Sequence, residues 1–187
     1  MRAAKQGTFD GLCGIYAILN SLDAVGVTGP RTQLHQDLFR NIVKSTPPKT
    51  MAKAVSYGFE TDQLLAAARG GLRWLRRTHD IDLRISRWRR KSTDKTDFIK
   101  ELSALTTRPG HAVILCFAKP GLQHWSVVAK INPHTIHLRD SGGLRHLDID
   151  RFELERGRYR FIHEDTIVIS CPNIQHLYNR KHIEVDA

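Results

Sequence analysis

The sequence predicts an α+β fold in which N-terminal helices pack on a C-terminal antiparallel β-sheet. Apolar residues recur at helical spacing through most of the first half of the chain. Short apolar runs separated by Pro, Gly and Asn turns dominate the second half. Because the two kinds of segment are segregated along the chain, the pattern argues against alternating β-α units and a parallel sheet.

Four helices are expected, each with apolar residues along one face. The first begins near Asp10, a candidate N-cap, and the second ends where Pro47 and Pro48 interrupt the pattern. The third is interrupted by Gly70 and Gly71. The four helices are predicted over about 10–25, 32–44, 60–77 and 94–105.

Four strands are expected after Pro109-Gly110. Residues 112–117 form a continuous apolar run bounded by turn residues, which is typical of a buried strand. The other three strands are predicted over 124–129, 135–139 and 166–170. A chain of 187 residues is long enough to bury one hydrophobic core, so we expect a single domain over 1–187.

The net charge and the lengths of the apolar runs indicate which partners and which cellular location to expect. The formal net charge of +10 favours acidic partners, whether a nucleic acid, an anionic membrane surface or an acidic protein. Residues 1–6 resemble no signal peptide, and no apolar run approaches the ~20 residues needed to span a bilayer. We therefore expect a cytoplasmic protein, or one exported by a route the chain does not reveal.

Three cysteines without a Cys-x-x-Cys pair predict neither a disulfide framework nor a zinc site. Cys116 and Cys171 lie in apolar strand-like runs and are expected to be buried thiols in a reducing compartment. His134 and His137 are three residues apart, which places them on opposite faces of a strand. No metal site and no cofactor are therefore predicted.

Cys13 differs from the other cysteines because it lies at the start of the first predicted helix. The partial positive charge at a helix N-terminus favours the thiolate form of a cysteine, so Cys13 is a candidate nucleophile. His124 opens an apolar strand and is the best candidate base, and Asp140 follows the next strand, where it can orient the imidazole. Gln6 can donate its side-chain amide to an oxyanion.

These residues, in this order, resemble the papain-like cysteine peptidase superfamily, especially its compact bacterial C39-like branch. The resemblance is carried by Gln6 and by the segments 10–14, 124–128 and 138–143. It leaves 26–108 unmatched. By this resemblance, Cys13 is the nucleophile, His124 the general base and acid, Asp140 the orienting residue and Gln6 the oxyanion donor. Asp140 stands where many papain relatives have Asn.

Simpler interpretations exist for each residue: a core cysteine, a strand-edge histidine and an Asp-Gly turn. Together, however, the residues favour a cysteine peptidase or isopeptidase. Its expected partner is a protein or peptide substrate, such as a leader peptide or a ubiquitin-like modifier. The alternatives are an acyltransferase or transglutaminase-like enzyme using the same triad, and an inactive basic module that binds nucleic acid or protein.

An arginine-rich segment over 73–95 also contains Trp74 and Trp88. Basic residues interleaved with aromatics can bind a nucleic-acid backbone or an acidic protein surface. The alternative is a solvated basic face. No nucleic-acid motif accompanies the charge, so nucleic-acid binding is not the favoured function.

Overall fold

The structure, a computed structural model, describes residues 3–7, 10–27, 33–89, 94–154 and 156–173. It confirms the predicted α+β class. Thr32, the expected start of the second helix, lies outside the described residues. The helices are α1 (Cys13–Ala24), α2 (Gln33–Ser45), α3 (Pro48–Tyr57), α4 (Thr61–His79) and α5 (Lys95–Thr107), and the strands are β1 (Arg84–Arg87), β2 (His111–Lys119), β3 (Leu122–Asn132), β4 (Thr135–Arg139), β5 (His146–Asp148), β6 (Arg160–Phe161) and β7 (Ile167–Ser170).

The strands form one sheet in the order β1-β7-β2-β3-β4-β5, with β6 also paired to β2. Every pairing between these strands is antiparallel, as predicted. The long hairpin of β2 and β3 occupies the centre, and its register places Phe117 opposite His124. β4 follows β3 directly in the sheet, so the end of β4 lies near the start of β3.

The sheet is covered on both faces. Ala112, Ile114 and Cys116 of β2 pack in the cluster formed with α1, α2 and α4, whereas Val113 and Leu115 pack in the cluster formed with α5. Successive side chains of a strand point to opposite faces, so both faces of β2 are buried. This explains why the strand is apolar without interruption.

The helix α3 was not predicted. The sequence pattern predicts only a break at Pro47 and Pro48, but Pro48 is also the first residue of α3. Proline is well tolerated there because the first N–H groups of a helix have no intrahelical acceptor and its fixed φ suits the helix. The same proline pair therefore ends α2 and begins α3.

The helix α4 runs through Gly70 and Gly71, so the predicted interruption is wrong. A Cβ atom on Gly71 would lie 2.6 Å from Cγ1 of Ile42 and 2.8 Å from Cδ1 of Leu38, both on α2. Glycine at this position therefore permits close packing of α4 on α2. The tertiary contact offsets the poor helix propensity of the residue.

Replacing Gly71 with alanine is expected to lower the free energy of unfolding by about 1–3 kcal/mol, because the added methyl group overpacks the contact with Ile42. The matched control is Gly70→Ala, whose Cβ would meet chiefly the Ser45 hydroxyl at 2.9 Å. That side chain can rotate away, and alanine improves the helix, so the control should be neutral or stabilising. Urea denaturation of both variants measures the difference; equal effects would contradict the packing explanation.

Three short strands, β1, β5 and β6, were also missed. Each has two to four residues, too few for an apolar alternation to stand out from chance. In β1, Ile85 is the one buried residue between exposed neighbours. The basic segment thus contributes a strand at one end of the described sheet, and its many charged residues gave no apolar pattern from which to predict it.

Candidate active site

The loop before α1 sets the position of Cys13. Helix α1 begins at Cys13 itself, with Leu12 as N-cap, so the prediction that Asp10 caps the helix is wrong. Asp10 instead binds the loop together: Oδ1 accepts the N–H of Leu12 at 3.1 Å, and Oδ2 accepts the N–H of Gly7 at 2.9 Å. Cys13 is consequently the first helical residue, whose N–H has no intrahelical acceptor.

Cys13 borders a cleft of about 400 Å³. The residue is 8% exposed, and its Sγ lies 3.9 Å from the carbonyl oxygen of Gly11. The cleft lies between the α3–α4 connection and the first residues of β3. Its other lining residues are Lys53, Tyr57, Gly58, Phe59, Glu60, Thr61, Gln123, Trp125 and Asp165.

His124 and Asp140 form a buried pair. Nε2 of His124 is 2.5 Å from Oδ2 of Asp140, and both side chains are less than a tenth exposed. The other oxygen of Asp140, Oδ1, accepts the backbone N–H groups of Gly142 at 2.8 Å and Leu144 at 2.9 Å. The turn after β4 therefore holds the carboxylate against the imidazole.

Because Nε2 of His124 is hydrogen-bonded to Asp140, Nδ1 is the ring nitrogen that can bond to the Cys13 thiol. Burial alone lowers the pKa of His124, but hydrogen bonds with Asp140 and Cys13 and the charges of both outweigh it and raise the pKa to about 9. For Asp140, burial raises the pKa. The hydrogen bonds with His124 and with the backbone outweigh this effect, so the pKa of Asp140 lies below its ordinary value. The pair therefore favours an imidazolium beside a carboxylate.

Hydrogen bonds with Ser141 and Asp10 orient Gln6. Its backbone N–H donates to the carbonyl oxygen of Ser141 at 3.1 Å, and the Ser141 hydroxyl donates to Oε1 of Gln6 at 3.2 Å. Its Nε2 donates to the carbonyl oxygen of Asp10. The amide nitrogen is thus directed toward the loop that leads into Cys13. Thr8 and Phe9, between Gln6 and Asp10, lie outside the described residues.

Ser141 is a residue whose contribution the sequence analysis missed. It follows Asp140 directly and bonds to Gln6. One turn therefore contacts His124 through Asp140 and the candidate oxyanion donor Gln6 through Ser141. Ser141 lies in the segment 138–143, but its partner Gln6 lies 135 positions away in the chain. Nothing in the local sequence indicates that contact.

The other two cysteines are buried, as predicted, and all three cysteines are free thiols. Burial raises the pKa of both Cys116 and Cys171. Gln123 lines the cleft, and its Nε2 is 3.7 Å from Sγ of Cys116. Trp125 is 4% exposed and packs on the α1 side of the sheet.

The two histidines considered for a metal have other partners. Nδ1 of His134 is 2.9 Å from Oδ2 of Asp150, and Nε2 of His137 is 3.1 Å from Nδ2 of Asn132. Within the described ranges, no three His, Cys, Asp or Glu side chains are arranged to hold a metal ion. No helix in this part of the chain combines the length and apolar character required to cross a bilayer.

No protein-family model matches the chain, and no curated protein matches it either. One similar solved structure is a double-glycine-motif protease from an AMS/PCAT transporter, in complex with its leader peptide. The identity is 13%, the TM-score is 0.47, and the match covers 91% of this chain and 94% of that one.

The raised pKa of His124 predicts a pH-dependent stability. Because the folded-state pKa of about 9 exceeds the ordinary 6.5, the protonated imidazole stabilises the fold fully below pH 6.5. This contribution should be lost as the pH rises through about 9. Urea denaturation across that range should show wild type losing its advantage over His124→Gln. An advantage that stayed constant across the range would contradict the raised pKa.

Proposed function

We propose that this protein is a cysteine peptidase or isopeptidase that uses Cys13, His124, Asp140 and Gln6. The observation that carries the proposal is the buried His124–Asp140 pair, whose remaining ring nitrogen is left for a thiol at the start of α1. A nucleophile, a base and an orienting group in this relation form a catalytic triad. The resemblance to the papain-like superfamily assigns the same residues to the same roles.

In the first half-reaction, the imidazolium of His124 stabilises Cys13 as a thiolate. The sulfur attacks the carbonyl carbon of the scissile amide, and the carbonyl π electrons move to oxygen. His124 then gives its Nδ1 proton to the leaving nitrogen, so the C–N bond breaks and an amine departs. A thioester between Cys13 and the acyl group remains.

In the second half-reaction, water enters and neutral His124 takes one of its protons. The resulting hydroxide equivalent attacks the thioester carbon, and the C–S bond breaks to release a carboxylic acid and the Cys13 thiolate. Asp140 stabilises the imidazolium that forms in this step and keeps the ring in one orientation, without being protonated itself.

The oxyanion of each tetrahedral intermediate needs hydrogen-bond donors. The backbone N–H of Cys13 is one candidate, because the first N–H groups of a helix have no intrahelical partner. The side-chain amide of Gln6 is the second: its oxygen accepts from Ser141, one of its two N–H groups donates to the Asp10 carbonyl oxygen, and the other N–H can donate to the oxyanion. Fixed donors of this kind need no reorganisation during the reaction.

The size of the cleft beside Cys13 limits the kind of substrate that can bind there. A volume of about 400 Å³ accommodates a few residues of extended chain and excludes a folded domain. We therefore propose as substrate an unfolded segment of one protein partner, such as a leader peptide or the tail of a ubiquitin-like modifier. The enzyme would process that partner rather than digest proteins generally.

Product analysis tests the proposal. The purified protein and Cys13→Ala are each incubated with a peptide library in water enriched in ¹⁸O, and new termini are identified by mass spectrometry. We expect cleavage by wild type only, with ¹⁸O incorporated into each new carboxylate. Intact-protein mass spectrometry of acid-quenched samples should detect the acyl group on Cys13.

A second arm with added glycinamide separates the alternatives. A hydrolase yields free acids, whereas an acyltransferase yields a new amide with the added amine, which would overturn the hydrolase assignment. Absence of both products, together with alkylation of Cys13 by iodoacetamide no faster than that of Cys171, would overturn the enzyme proposal in favour of a binding module.

A further inference from the structure

A second feature of the molecule is a groove lined by arginines between α4 and β1. Its volume is about 370 Å³, and its floor is formed by Leu72, Leu83 and Ile85. None of its lining residues borders the cleft at Cys13. The four arginines that line it are Arg69, Arg73 and Arg76 of α4 and Arg84 of β1, all of them exposed.

The four arginines concentrate positive charge that the described residues leave largely unneutralised. Arg69, Arg73 and Arg76 are spaced by four and three residues, so they share one face of α4. Of the four arginines of the groove, only Arg76 has a carboxylate of the described residues within 4.0 Å. That carboxylate is Asp82, whose Oδ1 lies 3.9 Å away. The guanidinium groups of the other three can therefore bind external carboxylates, which they recognise through paired hydrogen bonds.

Strand β1 adds backbone groups to the same groove. In the described part of the sheet, it pairs only with β7 and lies at one end of the strand order. The N–H of Trp88 donates to the carbonyl of Thr166, so the antiparallel alternation turns the N–H and C=O groups of Ile85 and Arg87 away from β7. An extended peptide can form ladder hydrogen bonds with such an edge.

The aromatic residues of the basic segment argue against a nucleic-acid ligand. The ring of Trp74 is 5.0 Å from that of His79 and packs against the apolar cluster formed with α1, α2 and α4. The ring of Trp88 is 5.6 Å from that of Phe98, in the cluster formed with α5. Both indoles are directed into the protein, so neither offers the exposed platform on which unpaired bases stack. Arg90 and Lys91 of the segment lie outside the described residues.

We propose that this groove binds an acidic segment of a partner polypeptide in extended form. Carboxylates of the segment pair with Arg69, Arg73, Arg76 and Arg84, and its backbone lies along the edge of β1. The binding is independent of Cys13, so it stands whether or not the proposed hydrolysis is correct.

The test uses a fluorescein-labelled peptide of alternating glutamate and threonine and measures its Kd by fluorescence anisotropy. The double variant Arg69→Gln/Arg73→Gln should weaken binding about tenfold or more, because two charge-assisted contacts are lost. The matched control, Arg145→Gln/Arg158→Gln, lowers the net charge equally from exposed positions outside the groove and should change the Kd by about twofold at most. Cys13→Ala should bind as wild type does.

Three results would overturn the proposal: no binding of the peptide to wild type, equal weakening by both double variants, or tighter binding of a labelled oligothymidylate with the same groove dependence. Equal weakening would mean that net charge alone attracts the peptide, and the oligonucleotide result would assign the groove to nucleic acid. Circular dichroism checks that each variant is folded. If the α4 double variant is unfolded, Arg84→Gln on β1 tests the same groove and should weaken binding several-fold.

Discussion

Replacing Cys13 with alanine is expected to abolish peptide hydrolysis, lowering kcat/KM by about 10⁴-fold or more. In the proposed mechanism Cys13 is the nucleophile of the four site residues, whereas Asp140 is bonded to His124, the Gln6 oxygen accepts from Ser141, and His124 is the proton carrier. The fold should survive, since a small side chain is shortened by one atom at a helix start where alanine is well tolerated. A change in unfolding free energy of about 1 kcal/mol or less is expected.

The matched control is Cys171→Ala, another buried free cysteine, which should retain activity. Alkylation provides an independent readout that needs no substrate. In the folded wild-type protein, iodoacetamide should modify Cys13 first, because Cys13 borders an open cleft, whereas burial raises the pKa of Cys116 and Cys171. Equal alkylation of all three cysteines, or full activity of Cys13→Ala, would contradict the assignment.

Replacing Asp140 with asparagine is expected to lower kcat/KM by about 10²- to 10⁴-fold. Three donors converge on the carboxylate: Nε2–H of His124 and the N–H groups of Gly142 and Leu144. A carboxylate offers two acceptor oxygens, whereas an amide offers one oxygen and one NH₂ group. Asparagine cannot satisfy all three donors in this arrangement.

Because the backbone N–H groups remain donors, the amide oxygen of the introduced asparagine is expected to face Gly142 and Leu144. Its NH₂ group then faces Nε2 of His124 and forces that nitrogen to act as an acceptor, which places the proton on Nδ1 of the neutral ring. The imidazolium also loses its counter-charge, so its pKa falls. The alkaline limb of the kcat/KM profile should move from about pH 9 toward lower pH.

A surface pair in the same protein provides the matched control. His134 and Asp150 are 2.9 Å apart, but both side chains are more than two-thirds exposed. Asp150→Asn should leave activity unchanged and alter the unfolding free energy by about 1 kcal/mol or less, since exposed ion pairs contribute little. Measured pH profiles of both variants make the comparison; an unshifted alkaline limb in Asp140→Asn would show that the carboxylate does not set the pKa of His124.

The strongly periodic elements could be predicted from sequence. The apolar run over 112–117 predicted β2 because a strand buried on both faces has few polar residues. Helix α3 escaped prediction because Pro48 both breaks and begins a helix, and only the fold decides which applies. The continuity of α4 at Gly71 depends on Leu38 and Ile42, whose approach across helices leaves no local signal.

The sequence by itself determined the α+β class, the central strands and a short list of candidate site residues: Gln6, Cys13, His124 and Asp140. Residue type, order and helix position were sufficient for that, because chemistry and local periodicity are local properties of the chain. The position of Cys13 at a helix start was visible without coordinates. The beginning of α1 at Cys13 itself, without an Asp10 cap, was not.

Only the tertiary structure decided which groups meet. It paired Nε2 of His124 with Asp140, bonded Ser141 to Gln6 and gathered four arginines into a groove beside an edge strand. Contacts between residues far apart in sequence depend on how elements pack, and short charged strands such as β1 gain their structure from the neighbours they pair with. The physical reason is that pairing and burial are properties of the assembled sheet, and no local segment contains them.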